Sequence, residues 1–213
     1  KGYAPDPQIR VVDYVNENVR EVTIEIGQNK IVHRQYADYV ETEAFITEKF
    51  TAVKRADNAA ARKMLKDINM LTNDEAGHLV AHMFSPNVGI DNYLSQFTDV
   101  NKKTIHAIET AQMDAIVDHD SFTHFTTRAT LDPTGRPTDY QAVADIYDRK
   151  TGNHWLRFDG TMPNGEHQVY SRNPAKSEAL PNSLDTSAKN LGHLKEDALH
   201  KGATYRVQFD VTS

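Results

Sequence analysis

Asp74-Glu75-Ala76-Gly77-His78-Leu79-Val80-Ala81 is the stretch on which the reading turns. A glycine directly before a histidine lets the backbone turn sharply or approach a ligand closely. The carboxylates of Asp74 and Glu75 are placed to orient the imidazole and fix its tautomer. A histidine near its ordinary pKa is a competent base at neutral pH. His78 is therefore the first candidate for chemistry. Pro86-Asn87-Val88-Gly89 then punctuates the chain as a turn. Beyond it stand Asn92, Gln96, Asn101 and Glu109.

The segment from Thr98 to Asp118 reads as the longest helix. Ile105, Ile108, Gln112, Ala115 and Ile116 fall on one stripe, and Thr98 or Asp99 is the expected cap. Asn101 and Glu109 are 109 − 101 = 8 residues apart on it. That is about 12 Å of rise and about 80° around the axis, so the two cannot easily share one small ion. On the other side, Asn58 precedes Ala59, Ala60, Ala61, Met64, Leu65 and Ile68 as an N-cap before a short amphipathic helix.

Strand patterns flank this helical middle. Val22, Ile24 and Ile26 alternate with polar residues, Gly27-Gln28-Asn29 is a turn, and Ile31 to Tyr36 returns as a hairpin arm. Glu43 to Val53 fits strand or helix equally. Asp132-Pro133-Thr134-Gly135 is a turn, and Tyr140 to Tyr147 reads as a buried strand. Asn153 to Phe158 and Gln168 to Tyr170 are further strands. Tyr205, Val207, Phe209 and Val211 alternate, which places a strand over 205–211. The expected class is α+β. Residues 1–18, with Pro5 and Pro7, read as a loose N-terminal arm, and 19–213 as one domain with a loop-rich 172–204.

Composition narrows the function. The chain has 213 residues, with 38% hydrophobic and 25% charged, as in an ordinary globular protein. It has no cysteine, which excludes disulfides, thiolate zinc sites and cysteine nucleophiles. No apolar run is long enough for a spanning helix, so no membrane partner is expected. The net charge of −6 runs against nucleic-acid binding, unless basic residues cluster around a cleft.

The residues from Asp74 to Glu109 resemble the DNA/RNA non-specific endonucleases, the ββα-metal (His-Me finger) nucleases of the Serratia-nuclease kind. The shared elements are Asp74-Glu75-Ala76-Gly77-His78-Leu79-Val80-Ala81, Pro86, Asn92-Tyr93-Leu94-Ser95-Gln96, Asn101 and Glu109. Thr134-Gly135-Arg136-Pro137-Thr138 also resembles the family's region after the helix. The resemblance implies a ββα-metal core on a central antiparallel sheet. It implies a Mg²⁺-dependent endonuclease acting on DNA and RNA with little sequence specificity, with Mn²⁺ as a substitute ion. His78 would be the general base, Asn101 the direct ligand of a hydrated ion, and Glu109 would position ion-bound water. Asn92 and Gln96 would serve the substrate site.

The chain departs from the family at two places, one of them Ala81-His82-Met83, where close relatives often have a basic residue. Many relatives carry Asp-Arg-Gly-His, but Glu75 and Ala76 stand here and that arginine is missing. Phosphate contacts are then expected from Arg136, Arg128, Lys102 and Lys103. The start at Lys1 fits a secreted nuclease or the C-terminal toxin domain of a larger bacterial protein, delivered as an effector and paired with an immunity protein. Two other readings stay open. One is a non-catalytic binding module that keeps the fold. The other is a zinc hydrolase on His78 and His82 with Glu75 behind. Asp118-His119-Asp120 and Trp155 read as structural.

Overall fold

The computed structural model describes residues 8–50, 59–85, 90–166, 168–172, 182–183 and 204–212. Four strands come first: β1 (Ile9–Val15), β2 (Arg20–Ile26), β3 (Asn29–Gln35) and β4 (Tyr39–Ile46). Helix α1 (Ala59–Ile68) leads to a ribbon of β5 (Asp74–His78) and β6 (Tyr93–Phe97). A π-helical turn, Val100–Ile105, opens directly into α2 (His106–Asp118). The remaining strands are β7 (Ser121–Leu131), β8 (Pro137–Asp148), β9 (His154–Pro163), β10 (Gln168–Arg172), β11 (Asn182–Ser183) and β12 (Tyr205–Thr212).

One ten-stranded sheet organises the molecule, in the order β1-β2-β3-β4-β7-β8-β9-β12-β10, with β11 beside β12. The fold is α+β. The sheet is antiparallel except where β12 runs parallel to β9 and to β11. β5 and β6 form a separate antiparallel pair.

The period-2 pattern explains why only one face of the sheet is covered. Val22, Ile24 and Ile26, with Thr42, Ala44 and Ile46, are buried. So are Tyr140, Ala142, Ala144 and Ile146. α2 lies on this face, packed against β7 and β8. Its Ala107, Ala111 and Ala115 are buried, and these small side chains let the helix approach the sheet closely. Thr123 Oγ1 on β7 donates to Gln112 Oε1 at 3.1 Å across this junction. Trp155 is fully buried, and its indole N–H donates to Ser121 Oγ at 3.0 Å.

The opposite face holds cross-strand ion pairs. Arg34 meets Glu21 and Glu43, Arg157 meets Asp145, and Arg206 meets Asp159. Three arginines are neutralised there.

Two expectations change. Residues 9–15 do not hang free as an arm but form strand β1, antiparallel to β2. All seven of its residues are exposed, so no buried face imposed a readable period. Asp99 stands at the N-cap position as expected, but its side chain makes no capping hydrogen bond. Thr98 donates to Glu75, Asp99 pairs with Lys103, and the helix begins with a widened turn. Asn58, the expected cap of α1, and most of 172–204 lie outside the described residues. Among the described residues no helix is long and apolar enough to cross a membrane.

Candidate functional site

His78 is the last residue of β5 and sits opposite Tyr93 in the ribbon register. Its half-buried ring packs on the Tyr93 ring, with centroids 4.7 Å apart. Alternation puts Asp74, Ala76 and His78 on one face of β5, and Glu75 and Gly77 on the other. Neither carboxylate expected to orient His78 is placed to do so. Asp74 lies four residues back, about 13 Å along the strand, and Glu75 faces away.

Each carboxylate has another task. Asp74, whose side chain is fully buried, takes the Arg136 guanidinium in a two-pronged pair at 2.7 Å and 2.7 Å. It also accepts the Leu71 N–H at 2.9 Å. Arg136 is therefore a structural tie between β5 and the start of β8, not the phosphate contact expected of it. Glu75 Oε2 accepts Nδ2 of Asn101 at 2.7 Å, and Oε1 pairs with Lys102 Nζ at 2.9 Å. Burial pushes the Glu75 carboxyl up, but the hydrogen bonds from Asn101, Lys102 and Thr98 outweigh it and hold it below the ordinary glutamate range.

The Glu75 contact settles the orientation of Asn101. Only the NH₂ side of an amide can face a carboxylate, so Oδ1 of Asn101 points away from Glu75. A clamped amide oxygen at a helix start suits one direct bond to a hydrated Mg²⁺, an ion that keeps most of its waters. Among the described residues no three His, Asp or Glu side chains converge to hold a metal. That removes the zinc reading on His78, His82 and Glu75. Its geometric reason is that β5 is a strand and splits His78 from Glu75.

Since the Glu75 pKa is lowered on folding, the clamp is present above the unfolded glutamate value and is lost as pH falls through the depressed one. NMR of the Asn101 side-chain NH₂ should show constant shifts between pH 5 and 7 and a change only below about pH 4.5. Glu75→Gln should remove that transition.

Asn92 and Gln96 are buried and serve the site's frame, not the substrate. Leu79 N donates to the Asn92 backbone oxygen at 2.8 Å. The Asn92 side chain accepts Val80 N–H at 2.9 Å and donates to Val80 O at 2.8 Å. The segment after His78 is thus fixed, with Leu79, Val80, Ala81 and Phe84 plugged into the main core. Gln96 reaches the His78 carbonyl at 3.4 Å by lying across Gly77. A Cβ on Gly77 would stand 1.9 Å from Gln96 Oε1. This is why glycine precedes the histidine. Gly77→Ala should cost about 2 kcal/mol in urea unfolding, because a buried amide must move; a cost under about 0.5 kcal/mol would contradict this.

Arg128 lies on the far face of the sheet, exposed, with its guanidinium 4.0 Å above the Tyr39 ring. It is separated from the ribbon by the sheet itself. Lys102 and Lys103 are next to Asn101 but sit against Glu75 and Asp99. The basic cleft expected from the nominated residues is not formed by them. Glu109 is half-buried on α2, two turns beyond Asn101.

Sequence reading missed Asn164. Its Oδ1 accepts Phe97 N–H at 2.7 Å, and its Nδ2 donates to Ser95 O and Pro137 O at 3.0 and 2.8 Å. It anchors β6 to the sheet. The only local signal, Asn164-Gly165, is that of a turn.

No family model matches the chain, and no curated protein matches it. Among solved structures it is similar to NucA from Streptococcus agalactiae with magnesium ion bound. The TM-score is 0.46 and the identity 8%, over 73% of this chain and 83% of that one. At that level the likeness carries no argument about the chemistry here.

Proposed function

We propose that the chain is a metal-dependent nuclease that hydrolyses phosphodiester bonds of DNA and RNA, built on a ββα-metal core. One observation carries this reading. A two-stranded ribbon ends on His78 and runs into a helix whose first turn holds Asn101, its amide clamped by Glu75 with the oxygen turned outward.

In this reading the His78 ring takes a proton from water as its oxygen attacks phosphorus and the bond to the leaving 3′ oxygen breaks. Glu75 holds the Asn101 amide, Asn101 Oδ1 would hold the cation, and Glu109 would lie on the same helix as a hydrogen-bonding group toward it. A bound Mg²⁺ would supply charge stabilisation at the phosphate and leaving oxygen. Asn92 and Gln96 keep the His78 backbone in place. Contacts limited to the nucleic-acid backbone give little sequence preference. Delivery as a secreted or toxin domain, with a cognate inhibitor, belongs to the same proposal.

The test is cleavage of supercoiled plasmid and total RNA by the purified chain, with Mg²⁺ and with EDTA. Mg²⁺-dependent degradation of both supports the reading. A second reading, a non-catalytic module of the same fold, is favoured by the separation of His78 from Glu75 across β5 and by the engaged basic side chains. Binding of nucleic acid with no cleavage under Mg²⁺ or Mn²⁺ would establish it instead.

A further inference from the structure

β1 ends the ten-stranded sheet, and among the described residues no strand pairs with its outer edge. Its pairing with β2 fixes which backbone groups stay open. At one end Gly27 N–H donates to Gln8 O at 3.3 Å, and at the other Asn16 N–H donates to Val19 O at 3.0 Å. Bonded and unbonded residues alternate along an antiparallel ladder. Arg10, Val12 and Tyr14 therefore bond to β2, in phase with Gln8 and Asn16. Ile9, Val11, Asp13 and Val15 turn their N–H and C=O groups to the open edge. No proline and no register shift interrupts the strand, although such devices usually blunt an edge.

The side chains add to the open backbone. Ile9, Val11, Val12, Tyr14 and Val15 are all exposed, Val15 at 66%. Opposite residues share a face, so Ile9, Val11 and Val15 continue the face of Val22, Ile24 and Ile26. Arg10, Val12 and Tyr14 stand on the other face.

We propose that β1 is a dimerisation edge, on which β1 of a second copy pairs antiparallel about a two-fold axis through Val12. A second copy is the occupant because the strand is complementary to itself. With the axis at Val12, Ile9 stands opposite Val15 and Val11 opposite Asp13. Every outward-facing residue of one copy then meets an outward-facing residue of the other. On the other face Arg10 stands opposite Tyr14 and Val12 opposite Val12. The Arg10 side chain is 73% exposed and 3.8 Å from Glu25, which leaves it able to lie over the Tyr14 ring across the seam. Ile9 with Val15, and Val12 with itself, make apolar cross-strand pairs. Neighbouring registers lose this match. An axis at Asp13 sets two carboxylates against each other. An axis at Val11 carries Val15 past the opposing strand and parts Arg10 from Tyr14. The proposal does not rest on the nuclease reading.

The test is the mass of the purified chain in sedimentation and light scattering between about 1 and 200 µM, where association follows mass action. The mass should rise from that of one chain toward that of two. Val12→Lys and Val12→Glu, each alone, should stay monomeric, because like charges meet on the axis. An equimolar mixture of the two should dimerise again, since opposite charges then meet. In the wild type, amide exchange at Ile9, Val11, Asp13 and Val15 should slow as concentration rises. Exchange at Arg10, Val12 and Tyr14, already bonded to β2, should change less. A wild-type chain that stays monomeric throughout would overturn the proposal. So would a dimer that persists in Val12→Lys, or a mixture that fails to restore it. The wild-type exchange pattern decides even where a variant does not fold.

Discussion

Asp74→Ala lowers the stability of the fold by about 3–5 kcal/mol, the largest single-residue effect expected outside the central core. The reason is asymmetry. The Asp74 side chain is fully buried and Arg136 is 13% exposed, so removing the carboxylate strands a guanidinium with no counter-charge. The Leu71 N–H loses its acceptor as well. Urea unfolding should show a lower midpoint with an unchanged slope. Arg136→Lys should also destabilise, because an ammonium cannot reproduce two parallel bonds to both carboxylate oxygens. A phosphate-binding arginine would behave otherwise: Arg136→Lys would leave the midpoint in place and weaken substrate binding alone.

His78→Ala should reduce Mg²⁺-dependent plasmid nicking about 10²- to 10⁴-fold, the usual contribution of a positioned base. The fold should survive, since the ring is half-buried at the end of β5, beside Tyr93. Free imidazole added to the variant should restore part of the rate. Asn101→Ala should fail differently. Its lost activity should return in part as Mg²⁺ is raised, because the defect lies in holding the ion. Equal nicking by wild type and His78→Ala would sink the assignment of the base. Loss in both variants with no response to imidazole or metal would point to a damaged ribbon.

Several elements were legible because their burial is one-sided. Val22, Ile24 and Ile26 alternate since only one face of β2 meets the core, and the turn at Gly27 has the positive φ of 55° that its sequence suggests. The stripe on α2 was equally plain. β1 was not legible, because Ile9, Val11, Val12, Tyr14 and Val15 are exposed on both faces and obey no period. The parallel join of β9 to β12 was hidden because Leu156 and Tyr205 meet far apart in sequence.

The candidate site divides in the same way. His78, Asn101 and Glu109 stand out as residue types at a spacing. The partners that decide their roles do not. Asp74 meets Arg136 across 62 residues, and Glu75 meets Asn101 across 26. Reading the two acids as partners of the adjacent histidine was reasonable locally, and strand alternation overrode it. Arg128 was nominated for its charge alone, which carries no information on which face of a sheet it occupies.

The Asn92 side chain, bonded to both the N–H and the C=O of Val80, acts as one more rung of the β5–β6 ladder after the strand has ended. A side chain here substitutes for a backbone. Amide hydrogen exchange at Val80 should therefore be governed by opening of the ribbon, not by the fast local fluctuations of a connecting segment. The main chain leaving His78 has little conformational freedom left to lose, so whatever ligand the imidazole meets finds it already held in place.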